Sequence, residues 1–150
     1  MNSSINHEGV FEIYKNNILI KTIKNRVTDD YINHMALLLT GETAPNLLIK
    51  YLAVGNGTIT DSNPVTLANE TFRTQYTAAP VAIAVGEVRT EFVILADEAV
   101  GEITEIGIFA GDGATIAPNS GILISRIAWN YTKTGSDEHT IIRIDRIRRA

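Results

Sequence analysis

Apolar residues in this chain come in short runs, and most runs are bounded by Gly, Asn or Asp. The runs are Val10–Lys15, Ile18–Ile23, Leu47–Val54, Val81–Val85, Val88–Leu95, Ile103–Phe109, Ile122–Trp129 and His139–Ile147. They are rich in β-branched residues and too short for long helices. Short strands punctuated by turns predict a mainly β fold, an antiparallel β-sandwich. An N-terminal hairpin and one short α-helix, about 29–40, complete the expected fold class.

The hairpin is the clearest local signal. Asn16-Asn17 separates two apolar runs, and Asn tolerates the positive φ that a two-residue turn requires. An isolated hairpin is marginal in water. Residues 1–27 are therefore expected to be an arm that docks on the body or on another subunit. Phe11, Ile13, Tyr14, Ile18 and Ile20 are its candidate assembly residues, and loss of residues 1–24 is expected to leave a folded domain. The helix is marked by Thr28 as N-cap, by Asp29 and Asp30 at its positive end, and by Gly41 beyond its C-terminus. Tyr31, Ile32, Met35, Leu38 and Leu39 share one face, expected to lie on a sheet. Asn63 and Pro64 predict one or two further helical turns up to Glu70. In Ile122–Trp129 alternation puts Ile122, Ile124 and Ala128 on one face and Leu123, Ile127 and Trp129 on the other.

With 150 residues, 45% of them hydrophobic, the chain suffices for one domain with a sizeable core. The expected division is arm 1–27, body 28–147 and basic tail 148–150. The net charge of -4 argues against a nucleic-acid coat. The absence of cysteine excludes disulfides, thiolate-bound zinc and a thiol nucleophile. No apolar run reaches the ~18 residues of a membrane span, and no secretory signal is visible.

No sequence pattern carries enzymatic chemistry. A nucleophile elbow, a Walker loop and a zinc-protease helix are all missing. Gly55-Asn56-Gly57 follows a strand, but the third glycine and long helix of a dinucleotide fingerprint do not; Gly55 and Gly57 read as a tight structural turn. His7, His34 and His139 lack metal-ligand spacing. Arg143, Arg146, Arg148 and Arg149 form a basic terminus without interleaved aromatics, so pairing with acidic residues is expected rather than nucleic-acid contact. Neither cofactor nor metal is expected. Glu70 and Arg73 share a face if they lie on a helical turn, with Glu105 a further carboxylate for Arg73 across the sheet. Gly107 inside a strand signals a bulge or a close approach, expected under Trp129.

One ordered series goes further. It comprises Leu37-Leu38-Leu39-Thr40-Gly41, the run Ile49 to Thr58, Leu67 to Arg73, Ile103 to Phe109, Leu123-Ile124-Ser125-Arg126, and Lys133-Thr134 before the last strand. Over residues 28–147 it resembles small structural proteins of tailed bacteriophages and prophages, described as tail-fibre, collar or baseplate-associated and related to capsid decoration β-domains. The resemblance implies a non-enzymatic virion subunit at the tail, collar or fibre attachment region. It implies self-association, with a trimer favoured, and contact with other virion proteins. Arg146 and Arg148 join the hairpin residues as assembly candidates. Decoration of the head is the alternative. A carbohydrate-binding β-sandwich is a further one, and it needs aromatics exposed on one face; the chain has four Phe, five Tyr and one Trp.

Overall fold

The computed structural model describes residues 4–41, 46–62 and 64–150. Among them lie β1 (Ile5–Lys15), β2 (Ile18–Arg26), α1 (Asp29–Leu39), β3 (Ile49–Gly55), β4 (Glu70–Gln75), β5 (Ala78–Ala84), β6 (Glu87–Ile94), β7 (Gly101–Ala110), β8 (Ile122–Lys133) and β9 (His139–Arg149). The strands make two antiparallel sheets: β2-β1-β9-β6-β5 and β4-β3-β7-β8. The mainly β sandwich with an N-terminal hairpin and one short helix is what the sequence predicts. The main core contains Phe11, Ile13, Leu52, Val54, Phe92, Ile94, Ile106, Ile108 and Ile141. A smaller cluster of Ala53, Leu67, Phe109, Ala114 and Leu123 includes Leu67 and Ala114 from the loops that follow β3 and β7.

The hairpin turn forms as expected, with Asn16 and Asn17 at φ of 48° and 68°. Its strands do not form a separable arm. β1 pairs along its whole length with β9, from Ile5 opposite Arg149 to Lys15 opposite His139. Phe11 and Ile13 have no solvent exposure. The turn is fastened too: Asn16 N–H donates to Glu138 O at 2.9 Å, and Asn16 Nδ2 to Asp137 Oδ1 at 3.1 Å. The docking that a marginal hairpin requires is met within the chain. The division at residue 27 therefore does not correspond to a structural boundary. Neither does the one at 147, because β9 continues to Arg149.

The helix starts where its cap predicts. Thr28 Oγ1 accepts from Tyr31 N–H at 3.1 Å, while the same hydroxyl donates to Leu123 O and Thr28 N–H donates to Ile124 O at 2.7 Å. Those carbonyls are available because β8 is a sheet edge and because Ile124 is an extra residue at a register shift. The shift also rearranges the expected faces of β8. Ile122, Ile124, Ile127 and Trp129 all reach the main core, Leu123 joins the smaller cluster, and Ala128 is exposed. The helix itself buries only Tyr31; Met35 is half-buried, and Ile32, Leu38 and Leu39 are exposed. Its apolar face is thus largely unpaired, contrary to the expected packing. Residues 64–69 contain no helical turn, only bends and loop before β4. Asn63 lies outside the described residues.

Removal of residues 1–24 takes away an interior strand, so the truncated chain is expected to lose cooperative unfolding in urea, followed by circular dichroism. Phe11→Ala in the full chain is expected to cost about 3–5 kcal/mol in the same assay.

Candidate functional site

Among the described residues, buried titratable groups collect at three places in the fold, and each has to be weighed as chemistry before the surface is considered. The first lies between the sheets on the inward side of β9. Arg143 is fully buried. Its Nε and Nη2 donate to Asp145 Oδ1 at 3.2 and 2.9 Å, its Nη1 donates to Ser125 Oγ at 2.7 Å, and its guanidinium lies 4.6 Å from the centre of the Phe11 ring. Gly9 is required beside it, because a Cβ there would collide with the guanidinium. Burial pushes the Asp145 carboxyl upward, but the charge of Arg143 and the hydrogen bonds from His7 and Arg143 outweigh it and hold the pKa below the ordinary value. The ionised carboxylate only accepts, so His7 Nε2, 3.0 Å away, carries the proton. Tyr31 packs edge-on to His7, and burial with the nearby Asp145 charge pushes its pKa up to about 12. A nucleophilic reading fails on geometry: the guanidinium occupies Ser125 Oγ, and the histidine turns to the carboxylate instead.

The second place anchors the loops. Glu105, fully buried, accepts from the backbone N–H groups of Ala68 and Asn69 at 2.9 and 2.8 Å. Gly55 and Gly57 let residues 68 and 69 approach, since a Cβ on either would overlap them. Glu105 therefore does not partner Arg73. Arg73 forms a two-point pair with Glu70, at 2.7 and 2.8 Å, and also donates to Thr115 O and Ser120 Oγ, both at 2.8 Å. It lies 4.5 Å from the centre of Phe109. The Glu70–Arg73 pair forms on a strand rather than a helical turn. A register shift between Val54 and Gly55 skips Thr71 in the pairing, which brings residues three apart to the same side. Gly107 makes room for Leu67 and Leu123, not for Trp129.

Trp129 belongs to the third place. It stacks on Tyr131 with centroids 4.6 Å apart, and buried His139 meets both rings edge-on. Neighbouring Lys133 is buried and donates to Leu95 O and Ala96 O at 2.9 and 2.8 Å. Burial, and then the Lys133 charge, lower the pKa of His139. Its ring is neutral inside this aromatic packing.

All three arrangements bind the chain to itself. The exposed large apolar side chains are all aliphatic among the described residues, and some of them meet at one end of the sandwich. Ile5 at the start of β1, Ile147 near the end of β9, and Ile32, Met35 and Leu39 of α1 line a groove of about 690 Å³. Leu39 is 90% exposed and Ile5 76%. A second pocket of about 150 Å³, lined by Leu47, Leu48, Pro80 and Val88, shares His7 and Ile147 with the groove. Exposed Val85 adjoins Gly86, whose carbonyl accepts from Ile147 N–H at 2.7 Å. The edge strands of the five-stranded sheet offer less. On β2, exposed Ile18 and Ile20 are followed by Lys21, Lys24 and Arg26, while β5 contains Pro80 and two register irregularities. Charges, proline and bulges are the usual devices that keep edge strands from pairing.

The residues expected to act together in assembly are thus dispersed. Phe11 and Ile13 are in the core, Tyr14 is half-buried, and Ile18 and Ile20 lie at the end opposite the groove. Arg146 and Arg148 both pair with Glu87 of the same chain. The groove residues were legible only in part, through the apolar spacing of α1. No family model matches the chain, and neither the curated proteins nor the solved structures contain a match.

Two outcomes follow from these environments. Arg73→Ala leaves the Glu70 carboxylate buried without its cation, and the expected loss is about 3–5 kcal/mol in urea unfolding; Arg73→Lys recovers only part, since an ammonium cannot reproduce the fork. His139 yields a pH dependence. Its folded pKa is depressed, so the unfolded chain binds more protons below the ordinary value near 6.5. Its contribution is complete above that pH and declines as pH falls toward the depressed folded value. The urea midpoint is expected to drop between about pH 7 and 5.5, and to drop less in His139→Phe.

Proposed function

We propose that this chain is a non-enzymatic structural subunit of a tailed bacteriophage virion, placed at the tail, collar or fibre attachment region. The observation that carries the assembly role is the aliphatic end of the sandwich, where Ile5, Ile32, Leu39 and Val85 face solvent. Contiguous apolar patches on folded domains mark sites of association. The interior supports the same reading: Arg73, Glu105, Lys133 and Arg143 are committed to fixing loops and sheets, leaving a rigid body with a sticky end. The virion assignment itself comes from the ordered series of segments across residues 28–147. An aliphatic end suits protein contact better than glycan stacking, which calls for exposed aromatic rings.

The test is immunogold electron microscopy of purified particles from a lysate that encodes the chain. Label at tail, neck or baseplate is the expected result. Label spread over the head would replace this location with capsid decoration. Particles that carry no label would remove the virion reading altogether.

A further inference from the structure

The Asp145 carboxylate holds its hydrogen bonds unevenly. Its Oδ1 accepts from His7 Nε2 at 3.0 Å and from Arg143 Nε and Nη2 at 3.2 and 2.9 Å. Its Oδ2 is buried and has no partner among the described residues, and the same is true of His7 Nδ1. With the His7 proton on Nε2, both of these atoms are acceptors. Buried acceptors without donors are costly, and native interiors contain few of them. Asp145, His7 and Tyr31 all line the cavity of about 150 Å³, whose other walls include Leu47, Pro80, Val88, Ile124 and Ile147. A cavity of this size takes a molecule about as large as benzene. Apolar walls with a few polar groups at one place are the usual form of a small-molecule site.

We infer that this cavity binds a small neutral primary carboxamide carried on a short aliphatic chain. The polar groups select the head. Two acceptors call for two donors, and an amide NH2 carries both on one nitrogen. A hydroxyl brings a single proton and leaves one acceptor unsatisfied. The amide carbonyl can accept from the Tyr31 hydroxyl, which keeps its proton because burial pushes its pKa up to about 12. Charge selects against an ammonium head. Arg143 already compensates Asp145 at 2.9 Å, so a second cation would be buried without an anion of its own. The aliphatic walls select the tail, which leaves water on binding. Binding in this cavity does not depend on the virion reading.

The full chain is titrated with pentanamide and followed by NMR of its isoleucine, leucine and valine methyl groups. Saturable shifts are expected at Leu47, Val88, Ile124 and Ile147, with a dissociation constant in the millimolar range. Two further probes test the head group. Methyl butyl ketone keeps the chain and the carbonyl but has a methyl group in place of the NH2, and pentylammonium replaces the head with a cation. Each is expected to bind at least about tenfold more weakly than the amide. Val88 lies opposite Asp145 in the sheet, and Val88→Phe is expected to fill the cavity and abolish the shifts while keeping the circular dichroism of the parent. No saturable shift with pentanamide, shifts spread over the surface, or a ketone or ammonium that binds as tightly as the amide would each overturn the proposal. So would undiminished binding by a folded Val88→Phe chain. The comparison of the three probes uses the unaltered chain and is decisive without the variant.

Discussion

The sandwich is organised around one guanidinium with no access to water. Arg143 sits on the inward face of β9, the strand that holds β1 on one side and β6 on the other. Its donors reach Asp145 on its own strand and Ser125 on the opposing sheet, and its face covers Phe11. A buried ion pair is not in itself a source of stability, because desolvation offsets much of the attraction. Its consequence here is geometric. The guanidinium needs its hydrogen bonds in fixed directions, so it dictates that β1 presents a glycine at residue 9 and an aromatic ring at residue 11. It also sets which residue of β8 faces inward. Slipping β1 or β8 by one residue would turn these partners to the other face and leave a charge buried alone. The register of three strands follows from that constraint.

Local features were legible because their causes are local. The Asn16-Asn17 turn and the Thr28 cap each depend on a few adjacent residues. The long-range arrangement was not. β1 looks like half of an isolated hairpin because its second partner, β9, comes more than a hundred residues later. In β9 itself the inward positions are His139, Ile141, Arg143 and Asp145, while Ile142 and Ile144 are only half-buried. Hydrophobicity alone would favour the opposite face. Only a partner set contributed by β1, β2 and β8 makes an inward Arg and Asp acceptable, and no pattern within residues 139–149 announces it.

The same division explains the loop anchors. Glu70, Arg73 and Glu105 were recognisable as candidates for ion pairing, but the pairing rule depended on secondary structure. A three-residue separation suggests a helical turn; on β4 it works only because Thr71 is skipped in the register. Glu105 meanwhile serves backbone rather than a cation, because residues 68 and 69 pass directly over Gly55 and Gly57. The glycines and the carboxylate are one device. The glycines admit the loop, and the carboxylate satisfies the amide groups that the loop would otherwise bury without partners.

Rigidity within and exposure at the end are connected. Thr28 ties the start of α1 to the edge of β8, and Tyr31 fills the space beside His7 and Asp145. These contacts fix the helix at its first turn, and Met35 packs against the core beyond it. Ile32, Leu38 and Leu39 remain exposed. A sequence that required only a lid for the core could have placed polar residues at 32, 38 and 39 without loss. Aliphatic residues at those positions lower solubility and add little to the fold of the single chain. On an element whose orientation is set by buried hydrogen bonds, they suit the proposed contact surface: apolar area for attraction and a fixed frame so that little conformational entropy is lost on association.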